Sequence, residues 1–433
     1  MSARPPALLL LGGFAVAWNQ RYLRAATDRG LTVLVVDAPG AHVADLLRHW
    51  RDGEHADSYP AEVALLPATE PTAIVDRATD WAGRYDLRGV CTLREEYVGP
   101  AAEVADLLGL PSPGRRAALV CRNKFLQRRY LARWSPASTL VPPGDRDRAA
   151  AGWRAYPAVV KPVGRLASSG VRLVTDAVEL RECLAGYPPE ETLLFEERAT
   201  GQEFSVESLS RAGRLRYAEV TRKRTTEEES AWFVETGHTT PPPELDPAAR
   251  RELLATHRAV LDRLDFGTGM AHAEYRLGPG GRPVLIEIAA RPPGDSILAL
   301  HWLATGAAPE DAIVGLAVGA DGSLPAPRRV ARQVYLPHRP GVLAGLTVDP
   351  ALGVEPIGFD PSLLRAQVTD RGADDGPAAV RCVVALKPPG TPLGPLRESA
   401  DRAAMFVVDA ATADELDAVE RRCRAAVTVR VLP

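Results

Sequence analysis

The sequence predicts a mixed fold: an α/β unit at the N-terminus, α+β units after it, and a β-rich C-terminal part. Three observations lead there. Over the first 115 residues, short apolar runs that stop at turn residues alternate with helical patterns. Between residues 272 and 291, two alternating runs flank a Gly/Pro turn. After about Gln333 the chain turns β-rich and carries few ionisable clusters.

The first element is the leucine run Leu8 to Leu11, which ends at Gly12-Gly13. The apolar stretch is shorter than a signal-peptide core, and glycines follow it rather than a small-x-small cleavage site, so it reads as a buried strand. Gly12-Gly13 lacks the third glycine of a dinucleotide fingerprint, and a tight βα turn is the better reading. A helical stretch over 19–29 leads to a second strand over 31–36 that ends at Asp37. A helix over 73–81, a strand over 89–92 and a helix over 97–108 follow, an alternation that implies a parallel sheet covered on both faces. Beyond it we expect one helix over 115–133, a Pro-rich connector, strands over 158–162 and 170–174, and a strand over 193–195 that ends in Glu196-Glu197. Pro241-Pro242-Pro243 and residues 323–327 mark further breaks. The chain divides on this reading into units 1–115, 116–204, 205–330 and 331–433.

Charge and composition narrow the function. The 433 residues hold 52 Lys+Arg against 55 Asp+Glu, which argues against nucleic acid or an anionic membrane as the main partner. No apolar run reaches the roughly 18 residues of a membrane span. The five scattered cysteines form no C-x-x-C, so they read as buried thiols in a reducing cytoplasm rather than as disulfides or metal ligands.

Two segments carry chemistry. In the 272–291 hairpin, His272, Glu274 and Arg276 share one strand face, and Glu287 joins them if Glu274 pairs with it or with Leu285. Two carboxylates that close want a cation or a shared proton, and with no thiolate or histidine cluster nearby a hard ion such as Mg²⁺ fits. The bland alternative is two solvated glutamates on an exposed face. Lys161 ends an apolar strand and precedes the Gly/Ser-rich loop 164–170, where ammonium, hydroxyls and backbone N–H groups can hold phosphate. The alternative is a mobile hairpin loop. No P-loop sequence is present.

The order of these features is more telling than any one of them. Arg122-Asn123-Lys124 with Arg128 comes first, then Pro157-Ala158-Val159-Val160-Lys161-Pro162, then Phe195-Glu196-Glu197 with Glu203. Phe233-Val234-Glu235-Thr236-Gly237-His238 follows, then Ile286-Glu287-Ile288-Ala289-Ala290-Arg291-Pro292-Pro293-Gly294-Asp295, and finally Leu336-Pro337-His338-Arg339-Pro340-Gly341. Over nearly its whole length the chain thereby resembles the ATP-grasp superfamily, and within it the carboxylate–amine ligases of the L-amino acid ligase (dipeptide synthetase) branch. The resemblance implies an ATP-grasp fold with an N-terminal Rossmann-like domain of the biotin-carboxylase type and a small β-rich closing domain.

By the same resemblance, Lys124 and Lys161 contact the nucleotide phosphates and the loop with Ser168, Ser169 and Gly170 closes over them. Glu196 holds the adenine edge with the backbone of Glu197 and Ala199, and Glu203 takes the ribose hydroxyls. Glu274 and Glu287 bind Mg²⁺ (one ion or two, with Mn²⁺ as a substitute), and Arg291 steadies the acyl phosphate. His238 and Lys223 are further active-site groups, and His272 faces the same cavity. Asp295 and Gly294 lie where an amino-acid substrate would sit, Asp295 either pairing with its ammonium group or capping the helix that follows.

The implied reaction activates a small carboxylic or amino acid as an acyl phosphate with ATP and joins it to an amine, and the implied setting is peptide-like natural product biosynthesis. The implied partners are small molecules, and the implied assembly is a homodimer. One place departs from the superfamily pattern: Ala289 stands where many members carry an asparagine that ligates a further Mg²⁺. A carboxylase or purine-pathway ligase on the same scaffold is the alternative within enzymes. A nucleotide-binding subunit without catalysis is the alternative outside them.

Overall fold

The computed structural model describes residues 3–12, 21–40, 60–165, 168–227, 230–359 and 376–433. Residues 19–20 of the first expected helix, Gly13 of the first turn and the middle of the 164–170 loop lie outside them.

Strands β1 (Pro6–Leu11), β2 (Thr32–Asp37), β3 (Glu62–Leu65) and β4 (Asp86–Thr92) form a parallel sheet in the order β3-β2-β1-β4. The all-apolar β1 needs two buried faces, and it has them. Leu8 and Leu10 pack with Tyr22 of helix Arg21–Thr27 and with helix Pro309–Ala317, while Leu9 and Leu11 pack with Ile74 and Trp81 of helix Pro71–Arg84. Gly12 turns the chain at φ +71, with its N–H donating to the Val36 carbonyl. The short β3 had no clear pattern and was not anticipated.

The single helix expected over 115–133 is two, Arg115–Cys121 and Lys124–Tyr130. Asn123 breaks it: its side chain accepts from the Leu126 N–H at 3.0 Å and caps the second helix, the local bond that asparagine offers in place of helix continuation. The connector that follows holds a further strand, β5 (Ser138–Val141). It lies at the edge of an antiparallel sheet with β6 (Ala158–Pro162), β7 (Arg172–Val174) and β8 (Leu193–Glu197), order β5-β8-β6-β7, where flanking prolines cost no ladder bond. In β6 and β8, Ala158, Val160 and Phe195 enter the core of this lobe, while Val159, Lys161 and Glu196 face the other way.

The central sheet contains β9 (Gln202–Arg211), β10 (Arg214–Thr225), β11 (Glu235–Thr240), β12 (Gly269–Leu277), β13 (Pro283–Ala289) and β14 (Val330–Tyr335). The C-terminal chain adds β15 (Gly341–Val348), β16 (Pro356–Ile357), β17 (Ala379–Ala385), β18 (Pro392–Leu393), β19 (Ala404–Ala410) and β20 (Val427–Leu432). The central order is β13-β12-β9-β10-β11-β14-β19-β17-β16, so the sheet runs on across residue 330, and β18-β15-β20 form a separate small sheet. One face of the central sheet buries Phe204, Val206, Ala273 and Tyr275 against helix Pro247–Leu264. The residues between them, Glu203, Ser205, His272, Glu274 and Arg276, point to the opposite face, the period-two rule at work.

All five cysteines are free and buried, as expected. Among the described residues, no helix is long and apolar enough to cross a membrane.

Candidate active site

The polar face of the central sheet and the inner face of the β5-β8-β6-β7 lobe enclose a cavity of about 440 Å³, and the C-terminal segment closes one end with Ser399 and Arg402. Every residue named above as a site residue lines it except Gly170. Gly170 stands just behind, at φ +71, its carbonyl accepting from the Tyr187 hydroxyl at 2.6 Å.

At one end, three elements meet on Glu196. Arg128, one helical turn beyond Lys124, donates to it at 2.6 Å from Nε, and Lys161 Nζ lies 2.8 Å away. All three side chains are almost fully buried. Burial pushes the Lys161 ammonium down, Arg128 adds to that and Glu196 opposes it, leaving a value of about 8. The Glu196 carboxylate is therefore committed to two cations. Lys124 donates to the Arg165 carbonyl at 2.8 Å and to Glu287 at 3.0 Å, and Arg165 is held in turn by Glu191 through two bonds of 2.7 Å.

The hairpin adopts the register in which Glu274 faces Glu287 and His272 faces Ala289. An irregularity follows at once, Tyr275 pairing with Leu285, so Ile286 is the extra residue and its carbonyl is free to accept from Arg128 at 2.5 Å. Gln127 fixes β13 from the other side, donating to the Ile288 carbonyl and accepting from its N–H. His272 sits between Glu207 at 2.7 Å and Glu274 at 3.3 Å. Burial pulls the imidazole down, but the two carboxylates outweigh it and lift His272 to about 9. Burial alone would raise Glu274; Lys223 and His272 hold it well below the usual carboxylate range instead.

Beyond the hairpin, Arg291 donates to Glu95 at 2.5 Å, and Arg122 lies 3.3 Å from the same carboxylate. Glu95 follows β4, at the C-terminal edge of the parallel sheet. Lys223 reaches Glu203 and Glu235 and touches Glu274. Arg276 also holds Glu203, at 2.6 Å, so both charged neighbours of that carboxylate are protein cations. Asp295 takes Arg402 through both oxygens, at 2.9 and 3.2 Å, and His238 Nε2 at 2.9 Å, while Arg402 lies over the Tyr335 ring at 3.8 Å.

The helix-cap reading of Asp295 does not hold. Helix Ile297–Thr305 has Ser296 at its cap position with no side-chain bond, and Asp295, at φ +52, pairs with Arg402 and His238 instead.

Sequence reasoning missed Glu95, Glu207, Glu235, Ser399 and Arg402. Glu207 lies four residues after Glu203 on one strand, so alternation alone placed it on the cavity face. Glu95 had the signal of a strand's C-terminal end. Arg402 had none, because nothing local marks a partner 107 residues away.

Among the described residues no group of three His, Cys, Asp or Glu side chains forms a ready metal cage. Two facing carboxylates beside a pair of lysines do suit Mg²⁺ that takes its remaining oxygens from phosphate and water.

Residues 154–299 match the ATP-grasp domain model. The L-amino acid ligase of Bacillus licheniformis superposes with a TM-score of 0.72 at 19% identity, covering 100% of both chains. Phosphoribosylglycinamide synthetase of Anaerococcus prevotii follows at 0.67 and 14%, covering 99% of this chain and 100% of that one. The biotin carboxylase domain of the Hydrogenobacter thermophilus 2-oxoglutarate carboxylase reaches 0.63 at 13%, covering 100% of this chain and 92% of that one. An uncharacterized protein of Sinorhizobium fredii is 30% identical over 128 residues, 28% of this chain, and that match spans only about a quarter (26%) of its own length. The chain thus carries an ATP-grasp domain, and as a whole it has the fold of the ATP-grasp ligases.

Proposed function

We propose that the protein is an ADP-forming carboxylate–amine ligase that joins a small amino acid, through its carboxylate, to the amine of another. The observation that carries this is the order of groups along one cavity. Lys161 meets Glu196 and Lys124 meets Glu287, Glu287 faces Glu274, and from Glu274 the contacts run through Lys223 and Glu235 to Arg402, Asp295 and His238.

In this reading the nucleotide lies along the Glu196 to Ala199 backbone, with its phosphates over Lys124 and Lys161. Glu274 and Glu287 would hold Mg²⁺, which when bound neutralises phosphate charge. The substrate carboxylate oxygen attacks the γ-phosphorus, the bond to the β,γ-bridging oxygen breaks, and ADP leaves with that electron pair. The amine nitrogen then attacks the carbonyl carbon of the acyl phosphate, phosphate departs, and the nitrogen releases its extra proton. Arg291, steadied by Glu95, lies where charge builds on phosphate and on the tetrahedral oxygen. The loop with Ser168 and Ser169 would keep water from the acyl phosphate. The division into units 1–115, 116–204, 205–330 and 331–433 and a homodimeric assembly belong to the same reading through the resemblance alone, and a cytoplasmic setting through the resemblance and the buried free thiols.

Nucleotide products after incubation with Mg-ATP and pooled amino acids test it, with Glu287→Ala and acid-free controls. ADP that appears only with amino acids and is lost in the variant is the expected result. AMP would point to adenylation and end the acyl-phosphate mechanism. ADP release that needs bicarbonate instead would assign a carboxylase. Nucleotide binding with no turnover under any of these conditions would leave a non-catalytic subunit.

A further inference from the structure

Lys223 is the most enclosed cation of the cavity, with only 3% of its side chain exposed. Its ammonium lies among three carboxylates from three strands: Glu203 of β9 at 3.1 Å, Glu235 of β11 at 3.4 Å, and Glu274 of β12 in direct contact. Oxygen-rich surroundings of this kind suit a hard metal ion as well as an ammonium group.

The hairpin carboxylates show how many donors are left. Glu274 spends Oε1 on both Lys223 and His272, and Glu287 spends Oε1 on Lys124. Among the described residues, neither Oε2 meets a protein partner. Two single oxygens, one from each side of the hairpin, are enough to share one ion between them. Ala289, which also lines the cavity, adds a methyl group and no donor.

We propose that the protein holds a single divalent ion with its nucleotide, and that the Lys223 ammonium stands in the place of a second. A fixed cation there supplies positive charge beside the phosphates without needing a further ligand, and it repels another ion from the same carboxylates. The proposal rests on the ATP-dependent reading above.

The test counts Mn²⁺ bound per chain by electron paramagnetic resonance, with the β,γ-methylene analogue of ATP at saturation. The wild-type protein retains one ion. Lys223→Ala, which removes the one cation these three carboxylates share, retains two, and Mn²⁺ raises its melting temperature more than that of the wild type. Ala289→Asn, with Lys223 in place, stays at one, and this variant decides the matter should the lysine variant not fold. Two ions in the wild type, a count of one in nucleotide-loaded Lys223→Ala, or a gain to two in Ala289→Asn would each overturn the proposal. If Mn²⁺ shows no nucleotide-dependent binding to any of the proteins, the ATP-dependent reading fails and takes the proposal with it; a wrong count with binding intact fails the proposal alone.

Discussion

Lys161 offers the sharpest prediction because its environment makes activity and stability respond to pH in opposite directions. Burial holds its ammonium near 8 against an ordinary 10.5, with Arg128 adding to the effect and Glu196 partly offsetting it. For a group at about 8, roughly nine-tenths is charged at pH 7 and roughly one-tenth at pH 9. If the charged form captures the phosphates, kcat/KM for ATP falls about tenfold between those values, since that parameter reports the free enzyme. The stability sign is the reverse. Between about 8 and 10.5 the unfolded chain binds the proton that the folded chain has released, so this group's contribution to stability rises with pH across that window.

Replacing Glu196 with Gln removes the larger of the two anions, Glu196 and Glu287, that oppose the shift. The alkaline limb moves to lower pH, and two buried cations lose their partner at a cost of about 3–5 kcal/mol. Lys161→Arg, which stays charged throughout, abolishes the limb. Steady-state rates from pH 6.5 to 9.5, paired with urea unfolding at each pH, read both effects. A wild-type profile flat across pH 8, or a Glu196→Gln limb at the wild-type position, would refute the assignment of phosphate binding to this lysine.

Other perturbations give simpler outcomes. Asn123→Ala removes the cap that starts the Lys124 helix; urea unfolding should show a loss of about 1 kcal/mol, and KM for ATP should rise. Arg291→Ala should lower kcat by about 10²–10³ with nucleotide affinity unchanged, and a loss confined to KM would remove its role in the reacting centre. Asp295→Ala separates two readings of its ion pair: KM for the amino-acid substrate rises if the carboxylate meets the substrate ammonium, and stays put if it serves only to hold Arg402 and His238. Gly201→Ala should destabilise by at least about 2 kcal/mol in thermal melts, because φ +96 is strained for alanine and its Cβ would sit 1.8 Å from the Leu277 carbonyl oxygen.

Much of the architecture could be read locally. The apolar run at Leu8 to Leu11 demanded a strand buried on both faces, and the sheet provides one. Alternation along 272–276 put His272, Glu274 and Arg276 on one surface, and the Gly/Pro turn left two registers, of which the structure takes the one with Glu274 facing Glu287. The misreadings were local too. Asn123 hid a helix break inside a continuous apolar pattern, and prolines disguised β5, which tolerates them because it is an edge.

What the sequence determined by itself is therefore whatever obeys a short period or a turn preference: the strands other than β3 and β5, the hairpin, and the shared face of His272, Glu274 and Arg276. The tertiary structure alone decided the partners. Glu95 steadies Arg291 from 196 positions away, Arg402 claims Asp295 from 107, and Arg128 and Lys161 converge on Glu196 from a helix and a strand of separate elements. The physical reason is that alternation and helical pitch are properties of the chain over a few residues, whereas the charge a buried group meets, and with it its protonation, depends on which distant segments fold against it.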